Sequence, residues 1–384
     1  MRSKKMRLVV AAVAAGVLVA SLSACATDSD SPSTTTGPSQ GAAGDFPTLD
    51  ELYESTSEEP PADGPTAAKE KSVWVITCGP ACEDSRQSAE DAIDALGWDY
   101  NYADGNLNIA GGYSSAIRTA LASDPDALFL NGFSCVLATA ALQEAKDQGV
   151  PVISAEGVSC DATDGSPLFS VPNILDSDAV DNAEWWKNQG KRAAWYLIAQ
   201  TGGKLKAITT RGADPLEIAI ADGFKEEVDK CAECEISEEI FTPGTDLIPN
   251  GPWIQNFRAA LIKHPDANGV YLPFDFMYQT LGGAAAVQEA GSDAILTGGA
   301  GLAETQPLVA SGTLTIPAAW DNSFHIWATM DNLNRYFNDV PAAAQGVGFT
   351  TVNADNPDSM PAAGKAYTVP FDYEAVYKKV WTGQ

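Results

Sequence analysis

Basic residues and histidine are scarce in this sequence. It has 23 lysines and arginines against 51 aspartates and glutamates, which gives a formal net charge of −28. Such a chain gains no counterion release on binding nucleic acid and is repelled by anionic lipid surfaces, so neither is expected as a partner. Only two histidines are present, His264 and His325, and the G-x-S-x-G and H-E-x-x-H motifs are missing. No catalytic residue or catalytic metal is therefore expected.

The N-terminal region has the pattern of an export signal. Four basic residues among positions 2–7 precede an apolar stretch over 8–22 that is too short for a typical membrane span, and "LSAC" ends at Cys25. This ending resembles a bacterial lipobox, in which the cysteine is lipidated and becomes the new N-terminus. We therefore predict a signal peptide over 1–24, a lipid on Cys25, and an extracytoplasmic protein anchored to the cell membrane.

Residues 25–68 are predicted to be a disordered tether behind the lipidated cysteine. The stretch is rich in Ser, Thr, Pro, Gly and acidic residues and has few sizeable apolar side chains. A segment of this composition buries too little apolar surface to offset the loss of chain entropy on folding.

Six further cysteines form an even set, as expected for disulfides in an exported protein. A zinc site at the "CAEC" motif would need two more ligands nearby, and the two histidines are far away in sequence. A thioredoxin-like role would need a C-x-x-C that opens a helix, whereas "CAEC" follows a helical pattern. We predict the bridges Cys78–Cys82, Cys135–Cys160 and Cys231–Cys234.

From Lys71 onward, buried-strand patterns alternate with amphipathic helix patterns. "VWVIT" at 73–77 precedes a helix that is predicted to start at Asp84, and "DALFLNG" precedes "LATAALQEAKDQG". The alternation restarts after Asn173, beginning with a long helix over about 181–200. Strands that alternate with helices indicate βαβ units and parallel sheets. The sequence therefore predicts an α/β fold with two Rossmann-like, doubly wound parallel-sheet lobes.

Residues 71–350 resemble the type I periplasmic sugar-binding proteins, the ribose-binding-like receptors of ABC importers. The resemblance lies in "DALFLNGFSCVLATAALQEAKDQGVPVISAE", "GFKEEVD", "LIKHPDANGVYLPFDFMYQTLGGAAAVQEAG" and "LTIPAAWDN". It implies three crossovers between the lobes, a hinge, and an interlobe cleft that closes on a small polar ligand. The implied N-terminal lobe comprises 69–173 and 320–350, and the C-terminal lobe comprises 174–319 and 351–384.

Ligands of open parallel sheets bind beyond the carboxyl ends of the strands. The candidate ligand-binding residues at such positions are Asn131, Phe133, Glu156, Arg211, Phe274, Asp275, Phe276 and Trp320. Of the family's sugar-binding groups only Asn131 and Asp275 match, and aromatic or small residues replace most of the others. We expect a ligand with one flat or apolar face and a few hydroxyl or amine groups.

Two of these candidates have an alternative interpretation. Trp320 is expected to contact the ligand, with packing in the hinge as the alternative. Arg211 is expected to meet a ligand oxygen, or else to pair with Asp214 or Glu217. The "GGAG" motif at 298–301 lacks the further glycine of a dinucleotide loop, so no cofactor is expected.

The predicted function is capture of a small molecule and its delivery to an ABC permease by a monomeric lipoprotein. A receptor that presents its ligand to a signalling partner is the first alternative. A secreted glycosidase that uses Glu156 and Asp275 as its carboxylate pair is the second.

The lipid prediction is tested by Cys25→Ala. The variant should move from the membrane fraction to the soluble fraction with its lobes intact, because a polar tether alone has no membrane affinity. Fractionation after a salt wash measures this, and a variant that remains in the membrane fraction would contradict the prediction.

Overall fold

The computed structural model describes residues 46–79 and 82–384, so the predicted signal peptide and Cys25 lie outside the described residues. The strands are β1 Ser72–Thr77, β2 Asp99–Asp104, β3 Ala127–Leu130, β4 Val152–Ser154, β5 Lys206–Gly212, β6 Glu235–Thr242, β7 Gly269–Leu272, β8 Ile295–Gly298, β9 Leu314–Ala319 and β10 Thr350–Val352. They form a four-stranded sheet of order β2-β1-β3-β4 and a six-stranded sheet of order β10-β9-β8-β7-β5-β6. All pairs are parallel except β9 with β10, as the sequence predicts for two α/β lobes.

The helices cover both sheets. They are α1 Leu49–Tyr53, α2 Glu83–Leu96, α3 Gly112–Leu121, α4 Thr139–Asp147, α5 Asn182–Gln200, α6 Pro215–Lys230, α7 Pro252–Lys263, α8 Asp275–Tyr278, α9 Gly283–Glu289, α10 Gln306–Ala310, α11 Asn322–Phe337 and α12 Tyr373–Thr382. We call the first sheet with α2–α4, α11 and α12 the first lobe, and the second sheet with α5–α10 the second lobe. No helix in the described ranges is both long and apolar enough to cross a membrane.

Glycine allows the two long helices of the second lobe to pack closely. A Cβ at Gly190 of α5 would lie 2.0 Å from the Ile220 carbonyl of α6, and a Cβ at Gly223 of α6 would lie 2.0 Å from the Lys187 carbonyl of α5. No side chain fits at either distance, so the backbones touch directly at this crossing. The crossing fixes α5, whose first turn reaches the first lobe.

The prediction of a disordered tether is wrong for residues 46–68. Leu52 is buried, and its carbonyl accepts a hydrogen bond from the Arg192 guanidinium of α5. The Thr56 N–H donates to the Phe349 carbonyl at 2.9 Å. The same segment then reaches the first lobe, where the Ala68 carbonyl accepts from the Trp98 indole at 2.7 Å. Residues 46–68 therefore contact both lobes.

The C-terminal helix also differs from the prediction, which placed 351–384 in the second lobe. Only β10 joins the second sheet, whereas α12 packs against α11 and α2 of the first lobe. The Trp381 ring of α12 stacks on Trp327 of α11 with centroids 5.5 Å apart. The chain thus crosses between the lobes once more after β10, beyond the three crossovers that the resemblance implies.

A buried polar network holds α11 and α12 together. The Asp331 carboxylate accepts from the Arg335 guanidinium at 2.7 Å, the Trp381 indole at 2.9 Å and the Gln345 amide at 3.0 Å. Arg335 also donates to the Asp63 carbonyl at 2.6 Å. The network satisfies both buried charges and joins three segments that are distant in sequence.

The structure joins Cys78 to Cys82, Cys135 to Cys160 and Cys231 to Cys234. These are the same three pairs that we predict from the sequence. In the described ranges no group of three or more His, Cys, Asp or Glu side chains is arranged to hold a metal ion.

Asp331→Asn tests the buried network. The variant keeps the shape of the side chain but leaves the Arg335 charge buried without its partner, so the free energy of unfolding should fall by about 3 to 5 kcal/mol. Urea unfolding measures this. The same change at exposed Asp339 is the matched control and should shift the value by less than about 0.5 kcal/mol. Equal effects of the two substitutions would contradict the prediction.

Candidate ligand-binding site

The loops that follow β3 and β5 touch each other between the lobes. The Ser134 N–H donates to Asp214 Oδ2 at 3.3 Å, and the Ser134 hydroxyl donates to the other carboxylate oxygen. Asp214 is also the N-cap of α6, where it accepts from the Leu216 N–H and forms a capping box with Glu217. Both loops follow carboxyl ends of strands, so this contact joins the two edges at which ligands of this fold class bind.

Asn131 and Glu156 follow the adjacent strands β3 and β4. Asn131 is fully buried, yet neither polar atom of its side chain has a hydrogen-bond partner among the described residues. Its amide lies beside the Glu156 carboxyl without a hydrogen bond of ordinary geometry. A buried polar group without a partner destabilises a fold by about 1 to 3 kcal/mol. Such a group at the carboxyl edge of a parallel sheet is a candidate site for an external polar partner.

Glu156 is half-buried. Burial raises the pKa of Glu156 to about 7, although the Asn131 amide favours the charged form. None of the ion pairs among the described residues involves Glu156. Its charge is therefore not compensated by the protein around it.

The end of β4, which carries Glu156, is held by side chains from other elements. Each backbone carbonyl of residues 154–157 accepts at least one hydrogen bond, with distances of 2.6 to 3.1 Å. The donors are the side chains of Asn173, Asn182, Trp186 and His325. Asn182 and Trp186 belong to α5 of the second lobe. The backbone of the site is thus fixed by the joint between the lobes.

His325 contributes no charge to this joint. Its ring is fully buried, and burial lowers the pKa of His325 to about 4, so the ring is neutral at pH 7. The neutral ring carries its proton on Nε2, which donates to the Ala155 carbonyl at 2.6 Å.

Phe133 lies in the core of the first lobe, where its ring packs on another aromatic side chain. Its ring is 1% exposed and stacks on Tyr113 with centroids 3.8 Å apart. Burial and the charges of Asp214, Asp104 and Glu156 raise the pKa of Tyr113 to about 12. A Cβ at position 157 would lie 2.0 Å from the Phe133 carbonyl, which explains the glycine after Glu156.

Trp320 lies in an aromatic cluster at the hinge. Its ring packs edge-on against Trp185 and Trp186, each with centroids 5.3 Å apart, and it is 5% exposed. Its indole N–H is buried without a partner among the described residues. This geometry favours the hinge-packing alternative. Trp320 still lies near Glu156, because the Trp186 indole donates to the Glu156 carbonyl.

Phe274, Asp275 and Phe276 form a second group, after β7. The two phenylalanine rings are half-buried and nearly parallel, with centroids 5.7 Å apart. The Asp275 carboxylate accepts from three donors in the loop after β8, namely the N–H groups of Ala300 at 2.5 Å and Leu302 at 3.1 Å and the hydroxyl of Thr305 at 2.5 Å. Asp275 therefore positions this loop, and its acceptor oxygens are already engaged.

The protein partner of Arg211 differs from the two that the sequence suggested. Its guanidinium donates to Asp222 of α6 at 2.7 Å, and neither Asp214 nor Glu217 is its partner. The structure thus brings Asn131 and Glu156 together after β3 and β4 and places Trp320 beside Trp186, whereas Asp275 and Arg211 are engaged by other groups of the protein.

Sequence reasoning missed Asp214 and Asn182 as residues that shape the site. The "DPLE" pattern at 214–217 shows an N-cap followed by proline and a capping-box glutamate. It predicts the start of α6, but no local pattern shows that the capping carboxylate also bonds to Ser134 of the other lobe.

A surface cavity of about 520 Å³ lies elsewhere, between the first crossover at Val171–Pro172 and the loop after α11. None of the unpartnered buried polar atoms lines this cavity. The candidate site therefore stays at the carboxyl edges of the sheets.

Two parallel-dominated sheets joined by crossovers, with their carboxyl edges in contact, define a type I periplasmic binding fold. The family model described as "Periplasmic binding protein domain" matches residues 79–339, which is more than half of the chain. The chain belongs to this family, and the resemblance inferred from the sequence is confirmed.

Solved structures of sugar-binding proteins share the fold. GanP, a glucose-galactose binding protein from Geobacillus stearothermophilus, matches with a TM-score of 0.62 at 16% identity, over 76% of this chain and 99% of that chain. An ABC transporter solute-binding protein from Agrobacterium vitis bound with alpha-D-tagatopyranose matches with a TM-score of 0.62 at 19% identity, over 77% and 99%. At these identities the likeness shows the fold alone. No curated protein sequence matches the chain.

Trp320→Ala tests the role of the aromatic cluster. Removing a buried indole leaves a cavity between Trp185 and Trp186, so the empty protein should lose about 3 to 5 kcal/mol of unfolding free energy. Thermal and urea unfolding of the empty protein measure this. An unchanged melting temperature together with lost ligand affinity would instead support direct ligand contact.

Proposed function

We propose that this protein is an extracytoplasmic solute-binding lipoprotein that captures a small molecule between its lobes and delivers it to an ABC importer. The observation that carries the proposal is the buried Asn131 amide without a partner, beside the uncompensated Glu156 carboxyl. Both lie at the carboxyl edge of the first sheet, near the point where Ser134 contacts Asp214 of the other lobe.

The known proteins that share the fold support this class of function. One is named as a glucose-galactose binding protein, and another is a transporter component bound with alpha-D-tagatopyranose. The Asn131 amide and the Glu156 carboxylate suit a small molecule with hydroxyl groups. The amide NH₂ offers two hydrogen-bond donors, and the amide and carboxylate oxygens offer several acceptors.

The proposed ligand set consists of Asn131 and Glu156 for polar contacts and of Phe274 and Phe276 for an apolar face. The two phenylalanine rings are half-buried and stacked, so they offer a flat surface at the mouth of β7. Asp275 and Arg211 are left out because other side chains and backbone groups of the protein engage them.

Lipid attachment at Cys25, export by residues 1–24 and a monomeric state complete the proposal. The first two rest on the basic, apolar and "LSAC" pattern of the sequence. The family of periplasmic binding proteins supports a location outside the cytoplasm.

A sensory receptor would use the same site and differ only in its protein partner. No observation favours the glycosidase alternative. It requires two carboxylates that can act on a substrate, and the Asp275 carboxylate is bound by three donors of its own lobe.

A thermal-shift screen of sugars, polyols, amino sugars and nucleosides tests the proposal. A ligand at one hundred times its dissociation constant stabilises the protein by about 2.7 kcal/mol, and native mass spectrometry then gives its mass. The absence of any stabilising small molecule would contradict the proposal.

Asn131→Leu sharpens this test. The substitution replaces an unpartnered buried amide by an apolar group of similar size, so the empty protein should be as stable as the wild type or more stable. The ligand-induced shift should fall, because the amide contact is lost. A variant that loses stability but keeps its ligand affinity would show that Asn131 is structural.

A further inference from the structure

The charge of Glu156 has no counterpart in the protein around it. Glu156 is half-buried, and none of the ion pairs among the described residues involves it. A carboxylate that is partly removed from water and has no cationic partner is destabilised, and side chains of this kind are normally paired when buried. The neighbouring Asn131 amide is fully buried and also lacks a partner.

The side chains that bond to the backbone of residues 155–157 are neutral, and the charged groups that act on the nearby Tyr113 are negative. Burial, together with the negative charges of Asp214, Asp104 and Glu156, raises the pKa of Tyr113 in α3. His325 of α11, which bonds to the neighbouring carbonyl, is neutral.

From α5, Trp186 donates its indole N–H to the Glu156 backbone and Asn182 donates its amide to the neighbouring carbonyls. Neither side chain carries a charge. The nearest arginine that the sequence suggested for this site, Arg211, is paired with Asp222. The local field therefore favours a positive charge.

We propose that the ligand carries a protonated amine that pairs with Glu156 and a hydroxyl or carbonyl group that bonds to Asn131, as in an amino sugar or amino alcohol. This inference rests on the proposed solute-binding function and narrows its ligand class. A cation would compensate the carboxylate and form charge-assisted hydrogen bonds with it. A neutral polyol would leave the charge uncompensated, and an anion would be repelled.

The aromatic groups suit the same ligand. An ammonium group is attracted to the face of an aromatic ring, and Phe274 and Phe276 offer half-buried, parallel ring faces. A ligand with a flat ring and one amine would therefore suit the chemistry of both groups.

Matched ligand pairs test the inference on the full-length protein. The first pairs are 6-amino-6-deoxy-D-glucose with D-glucose and 1-amino-1-deoxy-D-sorbitol with D-sorbitol. A library of further pairs follows, in which each amine compound is matched with the compound that has a hydroxyl group in place of the amine. Calorimetry should show at least about tenfold tighter binding of the amine member, as expected for one charge-assisted contact.

Glu156→Gln should abolish this preference. Glu239→Gln is the matched control, because Glu239 is exposed on β6 and its substitution removes the same formal charge. The control should keep the preference for the amine, which would show that the effect belongs to the site and not to the overall acidity of the protein.

The pH dependence gives a second readout. The pKa of Glu156 in the empty protein is about 7, so its ionised fraction falls as the pH is lowered. Aliphatic amines stay protonated throughout this range, so their affinity should fall by up to roughly thirtyfold from about pH 8 to about pH 5.5. Glu156→Gln should flatten this profile.

The outcomes separate the inference from the function. If a neutral member binds as tightly as its amine partner and Glu156→Gln changes nothing, the amine inference is wrong while solute binding stands. If none of the amine compounds, none of their hydroxyl partners and none of the compounds in the thermal-shift screen binds, the proposed function fails and the inference fails with it.

Discussion

The backbone carbonyls at the end of β4 need hydrogen-bond donors, and the rest of the site depends on how they obtain them. A parallel strand that ends at a cleft leaves these groups without ladder partners. Here Asn182 and Trp186 of α5 and His325 of α11 supply the donors. The bonds from α5 also join the two lobes, and all of them set the backbone position of Glu156. Joining the lobes and building the site are therefore one structural task.

The polar groups of the two lobes fall into satisfied and unsatisfied sets. Asp275 has three donors of its own lobe, and Asp331 is enclosed in a network of charged and neutral donors. Both act as fixed parts of the scaffold. Asn131 and Glu156 lack such partners and lie next to each other. The contrast separates the candidate site residues from the scaffold residues, which residue type alone does not do, because the same kinds of side chain appear in both sets.

Local patterns were enough to predict the alternation of strands and helices, because each βαβ unit repeats the same apolar periods and stop signals. These patterns placed Asp275 just after the carboxyl end of β7, but they could not show that its side chain bonds to the loop after β8. The composition of residues 46–68 suggested disorder, since a single buried leucine, Leu52, is a weak signal. Its partner Arg192 is distant in sequence. What a side chain contacts is set by tertiary packing that no short window contains.

The N-terminal segment enters the folded body at the second lobe before it reaches the first. Helix α1 packs against α5 and β10, and Thr56 bonds to Phe349 next to β10. Any pull on the preceding chain would therefore be transmitted to the second lobe. The first lobe is reached only later, where the Asp63 and Ala68 carbonyls accept hydrogen bonds from Arg335 and Trp98. Residues 46–68 thus form a strap across both lobes, and any change in the angle between the lobes must also change the path of this segment.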